Sequence, residues 1–202
     1  MFKKITPYVS EFFGTFIFTF VVMLSVMAAQ FPVVTPILAA VTLGLFVYTI
    51  GHLSGPHLNP AVTIAMWSIK KIAWRPAVFY IISQFAGAAL TILVAYLFGI
   101  GQADPSAVQN SLKIAGGEAF GAMVFLFGVA AVVYGRVTSS MSGVVVGASL
   151  LIGVTFGAIL GVGGILNPAI AFAIGAFNVA YVLGPIVGAV IGAQVYRLIS
   201  ER

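Results

Sequence analysis

The chain has no cysteine among its 202 residues, only two histidines, four acidic residues, and 6% charged residues in all. The missing thiols exclude disulfides, thiolate metal sites and cysteine nucleophiles. His52 and His57, with acids as scattered as Glu11, Asp104, Glu118 and Glu201, make no metal-ligand set and no nucleophile-base pair. Neither an enzyme nor a cofactor is expected. The shortage of charge has the widest consequence: with 61% hydrophobic residues and a mean hydropathy of +1.17, the chain cannot offer water a soluble surface, so it reads as an integral membrane protein.

The apolar runs have helical length and are rich in glycine and alanine, whereas barrel strands would alternate over about ten residues. The fold class expected is therefore an all-α membrane bundle. Six runs can span a bilayer, near 9–29, 36–54, 77–100, 117–135, 142–161 and 179–199. Two shorter pieces, 60–69 and 168–177, would be about 15 Å long as helices and reach only halfway. The first run follows Met1-Phe2-Lys3-Lys4 like a signal peptide, but Glu11 interrupts it and its removal would destroy a span.

The nine Lys and Arg sit at the ends of apolar runs and form no basic patch, so no nucleic-acid partner is expected. Topology explains them better. With both termini cytoplasmic, Lys3, Lys4, Lys70, Lys71, Arg75, Arg136, Arg197 and Arg202 fall inside and only Lys113 outside. The polar segment 101–117, with Asp104, Pro105, Asn110 and Lys113, then runs outside, and no separate soluble domain is visible.

Two irregular stretches stand out in this apolar background, "GHLSGPHLNPAVTIAMW" at 51–67 and "GVGGILNPAIAFAIG" at 161–175. Both contain Asn-Pro-Ala, at Asn59-Pro60-Ala61 and Asn167-Pro168-Ala169. Asparagine is a favoured N-cap, and proline is tolerated at the first helical position, where its missing N–H would have no partner anyway. Taken singly, each motif is a capped helix start with no chemistry. The pair means more, because "EFFGTF" from Glu11 matches "EAFGAM" from Glu118, and the Asn follows 48 residues later in the first copy and 49 in the second. Each copy holds three spans, an odd number, so approximately 1–100 and 111–202 form inverted repeats joined by an extracytoplasmic loop.

Non-helical backbone at membrane depth is tolerated only where protein buries it or a water-filled cavity satisfies it. Two half-helices entering from opposite faces would bring two N-termini together at the midplane, where their dipoles repel cations. Asn59 and Asn167 could also aim N–H donors into a lumen and interrupt a proton wire.

The motifs "SGPHLNPAVT", "GGILNPA", "QFAGA" and "LGPIVGAVIGA", with Glu11 and Glu118 opening the repeats, resemble the aquaporin (major intrinsic protein) family over nearly the whole chain. The resemblance implies six helices and two re-entrant half-helices per pore, a homotetramer, a location in the cell (inner) membrane, and passage of water or small neutral solutes. It also implies that Glu11 and Glu118 accept N–H bonds from the re-entrant loop of their own repeat, as scaffold. His57 would pack beside that loop. The small residues Gly87, Ala88, Gly188, Gly192 and Ala193 are expected at helix contacts, and Trp67, Trp74 and Tyr181 at the membrane interface.

One position departs from the family. Aquaporins usually carry Arg directly after the second Asn-Pro-Ala, and this chain has Ile170. Counting from the motifs, the other filter positions are Ala39, Thr155 and Gly164, without the aromatic residue or the His or Gly that would be the usual water or glycerol signatures at the first two. The outer filter should be less polar and wider than a water-selective one. Two other classes stay open on the residues alone: a secondary transporter, since inverted repeats with broken helices also build those, and a non-conducting relative.

Overall fold

The computed structural model describes residues 2–27, 34–102, 104 and 108–201. Pro105 of the linker, Arg202, and positions 28 and 29 of the first expected span lie outside them. Eight α-helices follow in order: α1 (Phe2–Met27), α2 (Val34–Ser54), α3 (Pro60–Ser68), α4 (Trp74–Leu97), α5 (Leu112–Val133), α6 (Ser142–Ile159), α7 (Pro168–Ala173) and α8 (Val179–Ser200). A 3-10 turn at Ser139–Met141 leads into α6. Six helices are long and apolar enough to cross a membrane, and no strand occurs among the described residues.

The order of three spans with one short helix before the last is the same in both halves. Local chemistry sets the ends. Asn178 caps α8 by accepting from the N–H groups of Ala180 and Tyr181, and Ser111 caps α5 through the Ile114 N–H. The second half-helix is shorter than expected: α7 stops at Ala173, and Gly175 with φ 84 turns the chain out towards the Asn178 cap. On the opposite side of that turn, Gln102 donates to the Phe172 and Ala173 carbonyls at 3.1 and 2.8 Å, satisfying oxygens the short helix cannot.

The two halves interlock. α1 packs on α4 and α5 on α8 within each half, whereas the half-helix α3 packs against α8 and α7 against α4 across them. Small residues permit the close contacts. A Cβ on Gly87 would overlap the Phe12 carbonyl oxygen, and one on Gly188 or Gly192 would overlap those of Ala119 or Met123. Ala88 and Ala193 are fully buried beside them. Threonines add direct ties: Thr19 and Thr91 share a hydroxyl hydrogen bond of 2.6 Å between α1 and α4.

These contacts give a first prediction. Gly188→Ala must push α5 off α8 against rigid backbone, so it should cost about 1–3 kcal/mol, seen as earlier loss of the monodisperse peak on heating in detergent. Gly116→Ala meets open space and should leave that peak unchanged. Equal stability of the two variants would contradict the packing.

Both chain ends lie on one face, with Lys71 over the Tyr134 ring at 4.0 Å and Arg136 donating to the Ser200 carbonyl. That terminal face carries Lys70, Lys71, Arg75, Arg136 and Arg197, and the linker and Lys113 lie on the other. Trp67 and Trp74 are half exposed, as anchors at an interface would be. Tyr181 is not: it is 7% exposed and its ring fills the space beside Gly163, so it supports the second re-entrant loop instead of meeting headgroups.

Candidate functional site: the paired Asn-Pro-Ala half-helices

The half-helices begin alike. Asn59 and Asn167 are extended, and their Oδ1 atoms accept from Ala61 N–H at 2.8 Å and Ala169 N–H at 2.9 Å. Pro60 and Pro168 occupy first helical positions, where no bond is lost. Before each asparagine the chain turns left-handed at a leucine, Leu58 with φ 48 and Leu166 with φ 54, a conformation that costs about 1–2 kcal/mol. Burial offsets that cost. Both leucines are fully buried in spaces left by Gly14 and Gly121, where a Cβ would collide with their methyl groups.

The left-handed turn aims each leucine carbonyl at the other motif. Asn59 Nδ2 donates to Leu166 O at 2.9 Å, and Asn167 Nδ2 donates to Leu58 O at 3.0 Å. Each amide thus spends one hydrogen on joining the half-helix tips and keeps the other for the lumen.

Carboxylates hold the incoming loops. Glu11, buried on α1, accepts from His57 N–H and Leu58 N–H at 2.8 Å each and from Gln84 Nε2 at 2.7 Å. Glu118, buried on α5, accepts from Ile165 N–H at 3.0 Å and Leu166 N–H at 2.7 Å. Every one of those backbone donors belongs to non-helical chain that hydrocarbon could not solvate.

The first loop has a further network that the second lacks, since Ile165 and Ala171 stand where His57 and Thr63 would be. The Thr63 hydroxyl donates to Asn59 O at 3.1 Å and accepts from Gln84 Nε2 at 2.9 Å. With that hydroxyl hydrogen on Asn59 O, the 3.0 Å contact with His57 Nδ1 is a second acceptance, which puts the imidazole proton on Nδ1 and leaves Nε2 an acceptor, the tautomer in which all three contacts are hydrogen bonds. The ring stands edge-on to Tyr80, centroids 5.1 Å apart.

Two cavities approach this centre from opposite faces. The linker-side cavity, about 280 Å³, is lined by Ala39, Asn59, Val154, Gly164, Asn167 and Ile170 among others. The terminal-side cavity, about 360 Å³, runs past Val47, Val62, Met66, Val129, Ser142 and Val146. Both have Leu43, His57 and Phe125 in their walls.

Of the four filter positions expected from the sequence, Ala39, Gly164 and Ile170 come together in the linker-side cavity. Thr155 does not. It is exposed on the outside of α6, its hydroxyl bonded back to Leu151 O at 2.7 Å, and its neighbour Val154 faces the cavity with Leu150 and Ala158. The count of twelve back from Asn167 assumed a connecting loop of family length. With Gly161 and Gly164 both left-handed, this loop sets the position thirteen back, Val154, on the cavity instead, and one residue turns a helix by about 100°. Gly164 itself is required there, because a Cβ would strike the Val154 carbonyl.

Sequence reasoning also missed Leu43, Phe125 and Val154. A signal existed for two of them: Leu43 is four residues after Ala39, and Phe125 seven after Glu118, so helical periodicity puts each on the face of a residue already singled out.

Comparison with known proteins agrees with this geometry. The profile of the family described as "Major intrinsic protein" matches residues 2–196. The chain is 34% identical over 191 residues to the probable aquaporin AqpM of Archaeoglobus fulgidus, covering 81% of this chain and 74% of that one. It is 35% identical to aquaporin NIP1-3 of Oryza sativa subsp. japonica, covering 77% of this chain but only 58% of the longer plant protein. The X-ray structure of the aquaglyceroporin from Plasmodium falciparum superposes with a TM-score of 0.68 at 24% identity, covering 98% of this chain and 96% of the other, a likeness of fold. A profile match along nearly the whole length, relatives above 30% identity and two capped half-helices meeting inside a six-span bundle lead to one conclusion: the chain belongs to the major intrinsic protein family, whose members are membrane channels and not enzymes.

Proposed function

We propose that the chain is a passive channel for water and small neutral solutes of the glycerol, urea and ammonia class, with an outer filter that lacks the family's arginine. The observation that carries this reading is the pair of cavities that approach the Asn59 and Asn167 caps from opposite faces. Passive flux is favoured over ion coupling because both intramembrane carboxylates, Glu11 and Glu118, are fully buried and occupied with loop N–H groups. Their role, with His57, is support of the loops.

Selectivity against cations falls to the two half-helix N-termini and the free amide hydrogens of Asn59 and Asn167. The outer ring is Ala39, Val154, Gly164 and Ile170, none of which offers a side-chain donor or a charge. Positive charge on the terminal face supports cytoplasmic termini in a cell membrane, and the matched hydrogen bonds of the two motifs support inverted repeats over approximately 1–100 and 111–202. Assembly as a homotetramer is the expectation carried by the family, testable by light scattering of the detergent-solubilised protein.

Stopped-flow light scattering on proteoliposomes tests the proposal, ranking water, ammonia, urea and glycerol against protein-free vesicles. Solute flux indifferent to proton and sodium gradients is expected. Ile170→Arg places a long guanidinium with five donors in an apolar ring, so it should lower urea and glycerol flux about threefold more than water flux. A folded Ile170→Arg variant that lowers water, urea and glycerol flux in equal proportion would refute the wide outer filter.

A further inference from the structure

The asparagines line only the linker-side cavity, and the two cavities share Leu43, His57 and Phe125 in their walls. These three come from three elements, α2, the first re-entrant loop and α5, and they line the stretch that the two cavities have in common. Leu43 and Phe125 are bulkier than Ala39 and Gly164 of the outer ring, so less free space remains between them. A passing molecule meets there two apolar side chains that offer it nothing and one imidazole whose Nδ1 is committed to Thr63. Nε2 has no hydrogen-bond partner among the described residues.

We infer that solutes are sorted at this collar, and not at the ring around Ile170: Phe125 and Leu43 set the size limit, and His57 Nε2 supplies the acceptor. The inference rests on the channel reading and deepens it. Its physical basis is the cost of stripping water from polar groups. At the collar a molecule can donate one hydrogen bond to Nε2 and accept from the free amide hydrogens of Asn59 and Asn167 just beyond it, and the apolar walls give nothing more. Water and ammonia each fit that pair of partners. Urea and glycerol carry several further donors and acceptors, and each one left unpaired against Leu43 or Phe125 raises the barrier. The outer ring, lacking arginine, admits such solutes to the linker-side cavity, and the collar slows them relative to water and ammonia.

Opposite the collar, the inverted repeat supplies the apolar counterparts, Phe18 and Leu150, but Ile165 stands where His57 would, so only the terminal-side collar carries an acceptor and the lumen is asymmetric about its centre. That asymmetry is why a single site can dominate.

The test is stopped-flow on proteoliposomes holding wild type, Phe125→Ala, Phe125→Leu or Leu43→Ala at matched protein content, with water, ammonia, urea and glycerol as probes. Phe125→Ala and Leu43→Ala should raise urea and glycerol flux at least threefold relative to water, and Phe125→Leu, the milder and safer fold, should raise it by less. Adding Ile170→Arg to Phe125→Ala should reverse most of the gain by building a second barrier in series. An unchanged ratio of glycerol to water flux in monodisperse Phe125→Leu and Leu43→Ala would overturn the collar while leaving the channel intact. Flux no greater than that of empty vesicles in the wild type and every variant would overturn the channel reading itself. A silent wild type with conducting Phe125→Ala would support the collar as a closed barrier.

Discussion

Glu11→Ala should be the most damaging single substitution in the chain for folding, with little to say about selectivity. Removing the carboxylate strands three buried donors, the N–H groups of His57 and Leu58 and the side-chain amide of Gln84. Each unsatisfied buried donor costs about 1–3 kcal/mol, and no water in hydrocarbon can replace the lost acceptor. A loss of more than about 3 kcal/mol follows, enough to abolish a monodisperse preparation or lower its melting temperature by roughly 10 °C. Glu118→Ala strands two donors and should be milder. Glu11→Gln keeps one carbonyl oxygen and should recover part of the loss. Thermal aggregation followed by size-exclusion chromatography would rank the three, and normal melting with altered solute ranking would contradict the scaffold role.

Asn59→Leu and Asn167→Leu should abolish most flux, by tenfold or more, in protein that still inserts. Asn59 does three things at once: it caps α3 through Ala61, joins the other motif through Leu166 O, and keeps one amide hydrogen for the lumen. Leucine does none of them. It leaves the Ala61 N–H and the Leu166 carbonyl unpaired, frees the α3 tip to shift, and projects a branched apolar group into the linker-side cavity that the asparagine lines. Asn167→Leu repeats these losses through Ala169 and Leu58 O. Water permeability in matched proteoliposomes is the measurement. Wild-type permeability in either correctly folded variant would mean that the permeant does not pass between the caps.

The membrane class, the six spans and the two half-helices could be read from composition and run length, because hydrocarbon imposes constraints that scarcely depend on tertiary detail: about 20 apolar residues to cross, and no irregular backbone without a partner. Asn59 and Asn167 were legible for the same kind of reason, since Asn-Pro is a helix start by local geometry alone and its repetition at matched distance from Glu11 and Glu118 tied cap to carboxylate. Ile170 reached the linker-side cavity as counted because it adjoins its motif inside α7, and Ala39 because only the short stretch 55–58 separates the end of α2 from Asn59.

Thr155 failed where that regularity failed. Between it and Asn167 lies a loop bent by Gly161 and Gly164, and a loop's length in space does not follow from its length in residues, so the register slipped to Val154. Tyr181 failed because an aromatic residue near a helix start looks the same whether it meets headgroups or fills the space beside Gly163. Local propensity and the solvent's demands act along the chain, and they settled the number of spans, their apolar character and the two caps. Which side chains share a lumen is a relation between helices far apart in sequence. Leu43, His57 and Phe125 line both cavities because α2, the first re-entrant loop and α5 are packed and turned as they are, and only that packing decides which side chains a passing molecule meets.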